Sequence, residues 1–170
     1  SALCAVASRS NIEAPATLWL RRLAESAALC NDAALDVRDG EVRVVGDPTE
    51  GALLVLARKV GVDERAEGRG AVIDRRAFTS ERRRMAVVVR GAAGDRVAHA
   101  KGAVEVVLAR CTRCARGDTE QAMSDEDRRA VQAVADAMGE RALRTLAVAR
   151  VAEPSEDPEV GLTLLGVVGL

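Results

Sequence analysis

Aromatic side chains are nearly missing from this sequence. Of 170 residues none is tyrosine, one is phenylalanine (Phe78) and one is tryptophan (Trp19). A binding surface that tracks a single nucleic-acid strand needs several stacking rings, so that class is excluded. The net charge is -1, from 25 basic and 26 acidic residues. General attraction to nucleic acid or to an anionic bilayer is therefore not expected. Long apolar runs are absent too: none reaches the roughly 18–20 residues needed to cross hydrocarbon. The opening SALCAVASRS lacks the basic start and apolar length of a secretory leader. The chain is expected to be soluble as written.

Other residue types are rare enough to be informative. Lysine occurs only as Lys59 and Lys101, against 23 arginines, and His99 is the only histidine. The four cysteines (Cys4, Cys30, Cys111, Cys114) do not form a secreted disulfide framework. Cys111 and Cys114 have CxxC spacing, but Cys4, Cys30 and His99 supply no second ligand pair at a recognisable spacing. Idle buried thiols in a reducing cytosol are the plain alternative to a metal or redox role. Neither GxxxxGK[ST] nor GxGxxG occurs, so a glycine-rich phosphate cradle is not expected. His99 has no evident Ser or Cys partner, and no carboxylate pair accompanies a nucleophile. On its own the chain reads as a binding module, with no catalytic residue assigned.

A chain of 170 residues is enough for one domain with a substantial core. Residues 1–13 are expected to be an extended entry segment. Apolar spacing predicts a helix over Ala14–Cys30, with Pro15 in its first turn. A hairpin follows, Leu35–Arg38 with Val42–Val45 about Asp39-Gly40. A second helix is expected from Thr49 to about Val60, with Thr49 as N-cap and Gly61 closing it. Strands are predicted at Val72–Thr79, Arg84–Arg90 and Arg96–Ala100, the last two joined by Gly91–Gly94. A short helix over Ala103–Arg110, a polar loop over Thr112–Gln121 and a Ser124-capped helix to about Met138 come next. Strands at Leu143–Val151 and Leu162–Leu170 complete the order. The implied fold is α/β (α+β): a twisted, mainly antiparallel sheet of about six or seven strands flanked by helices. Ending on the apolar run LTLLGVVGL, the chain is expected to be one domain of a longer protein.

The stretch Ala77–Glu105 gathers the scarce residues. Phe78, a run of arginines, His99 and Lys101 lie on two strands and a turn. If the strands pair about Gly91–Gly94, Phe78 and Lys101 can approach each other. A ring beside cations suits a stacked base with its phosphates nearby. From these residues alone a core phenylalanine and a solvated lysine are the more ordinary reading.

Six segments in order carry a resemblance: LCNDA (29–33), GDPTEGALL (46–54), FTSERRRMAVVV (78–89), KGAVEVVLARC (101–111), RALRTLAVAR (141–150) and LTLLGVVGL (162–170). Together they resemble the nucleotide-binding (N) domain of P-type cation-transporting ATPases of the calcium-pump-like class. The resemblance implies that Phe78 stacks on adenine, that Lys101 and Gly102 line the pocket, and that Glu50 meets the adenine end. It implies that Arg144 reaches the phosphates beside Leu146, and that Arg83 stands where many relatives carry lysine. Val104 replaces the proline of the usual KGAPE. Glu81, Arg82 and Arg84 are expected on a solvated face, and Met85 in the core. The implied cofactors are ATP and, in the full-length pump, Mg2+. The implied partners are the phosphorylation and actuator domains of the same parent chain, with no nucleic acid. The domain would be a monomer on the cytoplasmic side of a membrane-embedded, bacterial plasma-membrane transporter. It would bind ATP without turning it over. The alternatives are a scaffold domain of the same fold that has lost the nucleotide, and a CxxC module.

Overall fold

The computed structural model describes residues 5–7, 18–38, 41–62 and 70–170. The expected entry segment, Pro15 and the Asp39-Gly40 turn lie wholly or mostly outside these residues. The elements in order are β1 (Ala5–Ala7), α1 (Leu18–Leu29), β2 (Ala34–Arg38), β3 (Glu41–Val45), α2 (Pro48–Lys59), β4 (Ala71–Arg76) and β5 (Arg84–Arg90). There follow β6 (Arg96–Gly102), α3 (Val104–Leu108), β7 (Cys111–Arg116), β8 (Thr119–Ala122), α4 (Asp125–Glu140), β9 (Thr145–Ala152) and β10 (Leu162–Gly169).

Eight strands form one sheet in the order β4-β5-β6-β9-β10-β7-β8, with β1 also on β10. Every pairing in it is antiparallel except β10 with β7 and β10 with β1. The α/β fold with a mainly antiparallel sheet is therefore as the sequence implies. β2 and β3 make a separate hairpin, packed over α2 closely enough that a Cβ on Gly51 would meet Val44.

The central strands read as unbroken apolar runs because both faces of the sheet are covered. On one face Ala86, Ala100, Ala147 and Ala149 let α3 and α4 approach, with Val107, Val131 and Leu164 filling the layer. On the other, Val148, Leu165 and Val168 meet Trp19 and Leu23 of α1 and Leu53 and Leu56 of α2. Met85, Val87 and Val89 of β5 pack on Cys30. All eight residues of β10 are buried. Its ladder with β9 shifts register at Leu165, and the Leu165 carbonyl accepts the Trp19 indole N–H at 2.6 Å. The one tryptophan thus satisfies a backbone group that the bulge leaves over.

Two expectations fail in instructive ways. Thr112–Gln121 is not a loop but most of the hairpin β7–β8, turning on Gly117-Asp118 between the paired Arg116 and Thr119. Gly117 has φ +59, so a two-residue turn of glycine type was available to the reading. Burial on one side explains the polar composition: β8 is an outermost strand of the sheet, and only Cys111 and Cys114 of β7 are buried. The β4 strand stops at Arg76, three residues short of the expected end, which leaves Ala77–Thr79 outside any strand. Ser124 caps α4 as expected. It accepts from the Asp127 N–H at 3.1 Å, and Asp127 Oδ2 accepts from the Ser124 N–H at 2.9 Å, a reciprocal box.

His99 does have a hydroxyl partner. Its Nδ1 lies 2.9 Å from Ser26 Oγ, buried between β6 and α1. Burial, with Arg150 adding, pushes the imidazole down to about 4 from 6.5. A folded value below the unfolded one means that protons favour the unfolded chain. Stability should be at its full value above pH 6.5 and fall as pH drops toward 4, by on the order of 2–3 kcal/mol. Urea melts at stepped pH should show that slope, and His99→Asn should remove it.

Candidate functional site

The N-terminus of α2 is built by GDPTEG. Asp47 is the N-cap, accepting from the Thr49 and Glu50 N–H groups at 2.8 and 3.2 Å, and Pro48 takes the first helical position. The cap is therefore two residues earlier than the sequence reading placed it, because proline at the first position fits an Asp cap directly before it. The backbone N–H of Glu50, then that of Thr49, hold the Asp47 carboxyl below the usual carboxylate range, and Arg144 adds to this. Released from capping, Thr49 Oγ1 accepts from Arg144 Nη1 at 3.1 Å.

Glu50 then points at the sheet. Its Oε1 meets Lys101 Nζ at 2.6 Å, with side-chain exposures of 16% and 6%. Its Oε2 accepts the Asp32 N–H at 2.9 Å, and its carbonyl accepts Asn31 Nδ2 at 3.0 Å. Asn31 Oδ1 turns the chain by accepting from the Ala33 N–H at 2.8 Å. The LCND segment after α1 is thus wired to the first turn of α2. Lys101 is placed by β6, opposite Met85 on one side and Val148 on the other. It is neither solvated nor isolated: it ends on the one carboxylate that α2 aims at it.

These groups floor an open cleft of about 250 Å³, lined further by Asp32, Phe78, Gly102, Arg144 and Leu146. Pockets that enclose a drug-sized ligand run to about 300–1,000 Å³, so the cleft has room for part of such a ligand. Phe78 is 52% exposed on its rim. The expected pairing about Gly91–Gly94 holds, with Met85 opposite Lys101, but Phe78 lies past the end of β4 at Arg76. Phe78 arrives instead from the segment between β4 and β5. The lining is apolar at Phe78 and Leu146 and polar at Asp47, Thr49 and Arg144.

Of the residues singled out in the sequence, Glu50, Phe78, Lys101, Gly102, Arg144 and Leu146 come together here. Arg83 does not. Its backbone is left-handed, φ +50, and its Nη1 meets Glu105 Oε1 at 2.6 Å on the surface. Gly102 has a reason of its own to lack a side chain: a Cβ would strike the Arg83 carbonyl and lie 2.6 Å from Arg84 Cβ. Val104, in the place of the family's proline, begins α3 and is buried in the core. Arg82 and Arg84 are not a solvated face either, as both turn to Glu159. Asp32, Asp47 and Thr49 were not anticipated as lining residues, although LCNDA and GDPTEG carried them. Cys111 and Cys114 are buried in the core, and burial pushes the Cys111 thiol up to about 12. Among the described residues no group of three or more His, Cys, Asp or Glu could hold a metal ion.

Residues 19–170 match the family model described as P-type ATPase, cytoplasmic domain N. A calcium-transporting ATPase of Bacillus subtilis is 39% identical over 150 residues, covering 84% of this chain and 17% of that protein. The human calcium-transporting ATPase type 2C member 1 is 36% identical over 156 residues, 88% of this chain and 16% of that protein. A putative plasma-membrane-type calcium-transporting ATPase 7 of Arabidopsis thaliana is 34% identical over 142 residues, 77% of this chain and 14% of that protein. The chain thus spans about a sixth of the length of these relatives.

The Lys101–Glu50 pair is mostly removed from water, so breaking it strands a charge. Glu50→Gln should destabilise the chain by about 2–4 kcal/mol in urea unfolding. Adding Lys101→Met should recover part of that loss, because the uncompensated ammonium is then gone. Additive losses would show that the two groups are not coupled.

Proposed function

The chain belongs to the P-type ATPase cytoplasmic domain N family, and from that premise we propose that it is the ATP-binding domain of a cation-transporting pump. The observation that carries this reading is Phe78, half exposed on a concave rim whose floor is the buried Lys101–Glu50 pair. Isolated apolar residues on a surface are ordinary. A ring held at the mouth of a polar cleft, in a chain with two aromatics, is not.

The residues present fit a nucleoside triphosphate. The Phe78 face accepts a purine by stacking, and Leu146 supplies an apolar wall. Each oxygen of Glu50 makes one bond in the free cleft, and a carboxylate has about four acceptor sites. An exocyclic amine can therefore donate to it without displacing Lys101. Lys101 offsets the negative charge that Glu50 brings. Arg144, exposed and held at Thr49, is placed to meet the phosphates. Arg83 is not among the residues that line the cleft and pairs with Glu105 on the surface, so the proposal does not rest on it.

The adenosine end is gripped and the γ-phosphate is offered outward, to an aspartate on a phosphorylation domain outside this chain. Mg2+ and the in-line transfer belong to that encounter, and a hinge movement delivers the nucleotide to it. The parent would be a membrane-embedded pump with this domain on the cytoplasmic side, working with phosphorylation and actuator domains. Calcium, the cargo named for the relatives, is the first ion to test. The isolated domain binds ATP without turnover.

Titration with ATP, AMP and GTP, followed by amide shifts, tests this. ATP should move resonances around Phe78, Lys101 and Arg144, and AMP should move Arg144 least. Phe78→Ala should weaken ATP binding by about 1–3 kcal/mol, the scale of base–aromatic stacking, with the unfolding midpoint unchanged. Silence of the cleft at saturating ATP would favour a scaffold domain that has lost the nucleotide.

A further inference from the structure

A buried carboxylate stands outside the cleft and has no part in the reading above. Glu159, in the connection between β9 and β10, is 2% exposed, and three arginines meet it. Arg84 grips it through Nε and Nη2 at 3.1 and 3.2 Å. Arg82 Nη2 bonds Oε1, and Arg76 Nη1 lies 3.4 Å from Oε2. These arginines bracket the segment that carries Phe78: Arg76 ends β4, Arg84 begins β5 and Arg82 lies just before it. Arg82 also reaches both neighbours of Phe78. Its Nη1 donates to the Ala77 carbonyl at 2.9 Å, and its backbone N–H donates to Thr79 Oγ1 at 3.1 Å.

The anchor is itself fastened. Asp157 Oδ1 accepts the Glu159 N–H at 3.1 Å and pairs with Arg76 at 2.8 Å, and Arg110 Nη1 reaches the Glu159 carbonyl at 3.4 Å. Charge-assisted bonds of this kind, bidentate in the case of Arg84, fix orientation as well as distance. A half-exposed ring has little packing of its own, so its direction is inherited from the backbone beneath it.

We infer that Glu159 is a positioning residue for Phe78: through Arg82 and Arg84 it holds residues 77–83 in the conformation that presents the ring to the cleft. The functional consequence rests on the ATP-binding reading; the geometry does not. A platform set in place beforehand avoids the cost of ordering it when the ligand arrives.

The experiment is a double-mutant cycle on the chain. Glu159→Gln should raise the Kd for ATP by about tenfold and speed amide exchange in residues 77–83, leaving α4 and β10 protected. In a Phe78→Ala background the same change should cost almost nothing, because the ring it positions is gone. An equal penalty in both backgrounds, or unchanged affinity and exchange, overturns the inference. Should Glu159→Gln fail to fold, Arg82→Gln removes one spoke and should give the same pattern with a smaller, about threefold, rise. If the unaltered chain ignores ATP, the functional reading fails, and unaltered exchange of residues 77–83 in Glu159→Gln separately refutes the positioning.

Discussion

One ammonium and one carboxylate, 2.6 Å apart and nearly sealed from water, tie this structure together. Lys101 belongs to the sheet and Glu50 to a helix 51 residues earlier, so their meeting sets the distance between α2 and the end of β6. Neither could be buried alone, since a lone charge in that place would cost several kcal/mol. Their contact also brings the rest: Glu50 holds the Asp32 backbone, and Asn31 holds the Glu50 carbonyl. The Asp47 cap leaves Thr49 free for Arg144. The cleft is what remains between these tied elements and the segment bearing Phe78.

Much of this was legible in the residues. The β2–β3 hairpin, the Ser124 cap and the turn at Gly91–Gly94 follow from local chemistry, in which neighbours in sequence are partners in space. The pocket set was legible too, but by resemblance: no spacing rule joins Glu50 to Lys101. The failures share a cause. Arg82 and Arg84 look solvated because the carboxylate that takes them lies 77 and 75 residues away. Phe78 was assigned to a strand because β-propensity does not know where β4 stops pairing. The β7–β8 hairpin was missed because strands at and next to the sheet margin need only one buried side, and their polar residues resemble a loop.

Arginine usage illustrates the difference between composition and role. A chain that writes 23 of its 25 basic residues as arginine makes any single one look generic. Arg83 is spent on Glu105, Arg75 on Asp32, and Arg76, Arg82 and Arg84 on Glu159. Arg144, by contrast, bonds the Thr49 hydroxyl and adds to the positive field on Asp47; its proposed partners are phosphates. The planar fork explains the division: one side chain can bind a carboxylate and a carbonyl at once, as Arg82 does with Glu159 and Ala77.

The central claim is that a purine lies on the ring of Phe78. Because the chain has one phenylalanine, isotope labelling of that residue type gives a single ring to observe. Cross-relaxation between the adenine protons of bound ATP and the Phe78 ring protons is the most direct measurement. The account predicts strong transfer to that ring, with weaker transfer to the methyl groups of Leu146. Bound ATP whose adenine protons relax against other side chains and leave the ring untouched would contradict it.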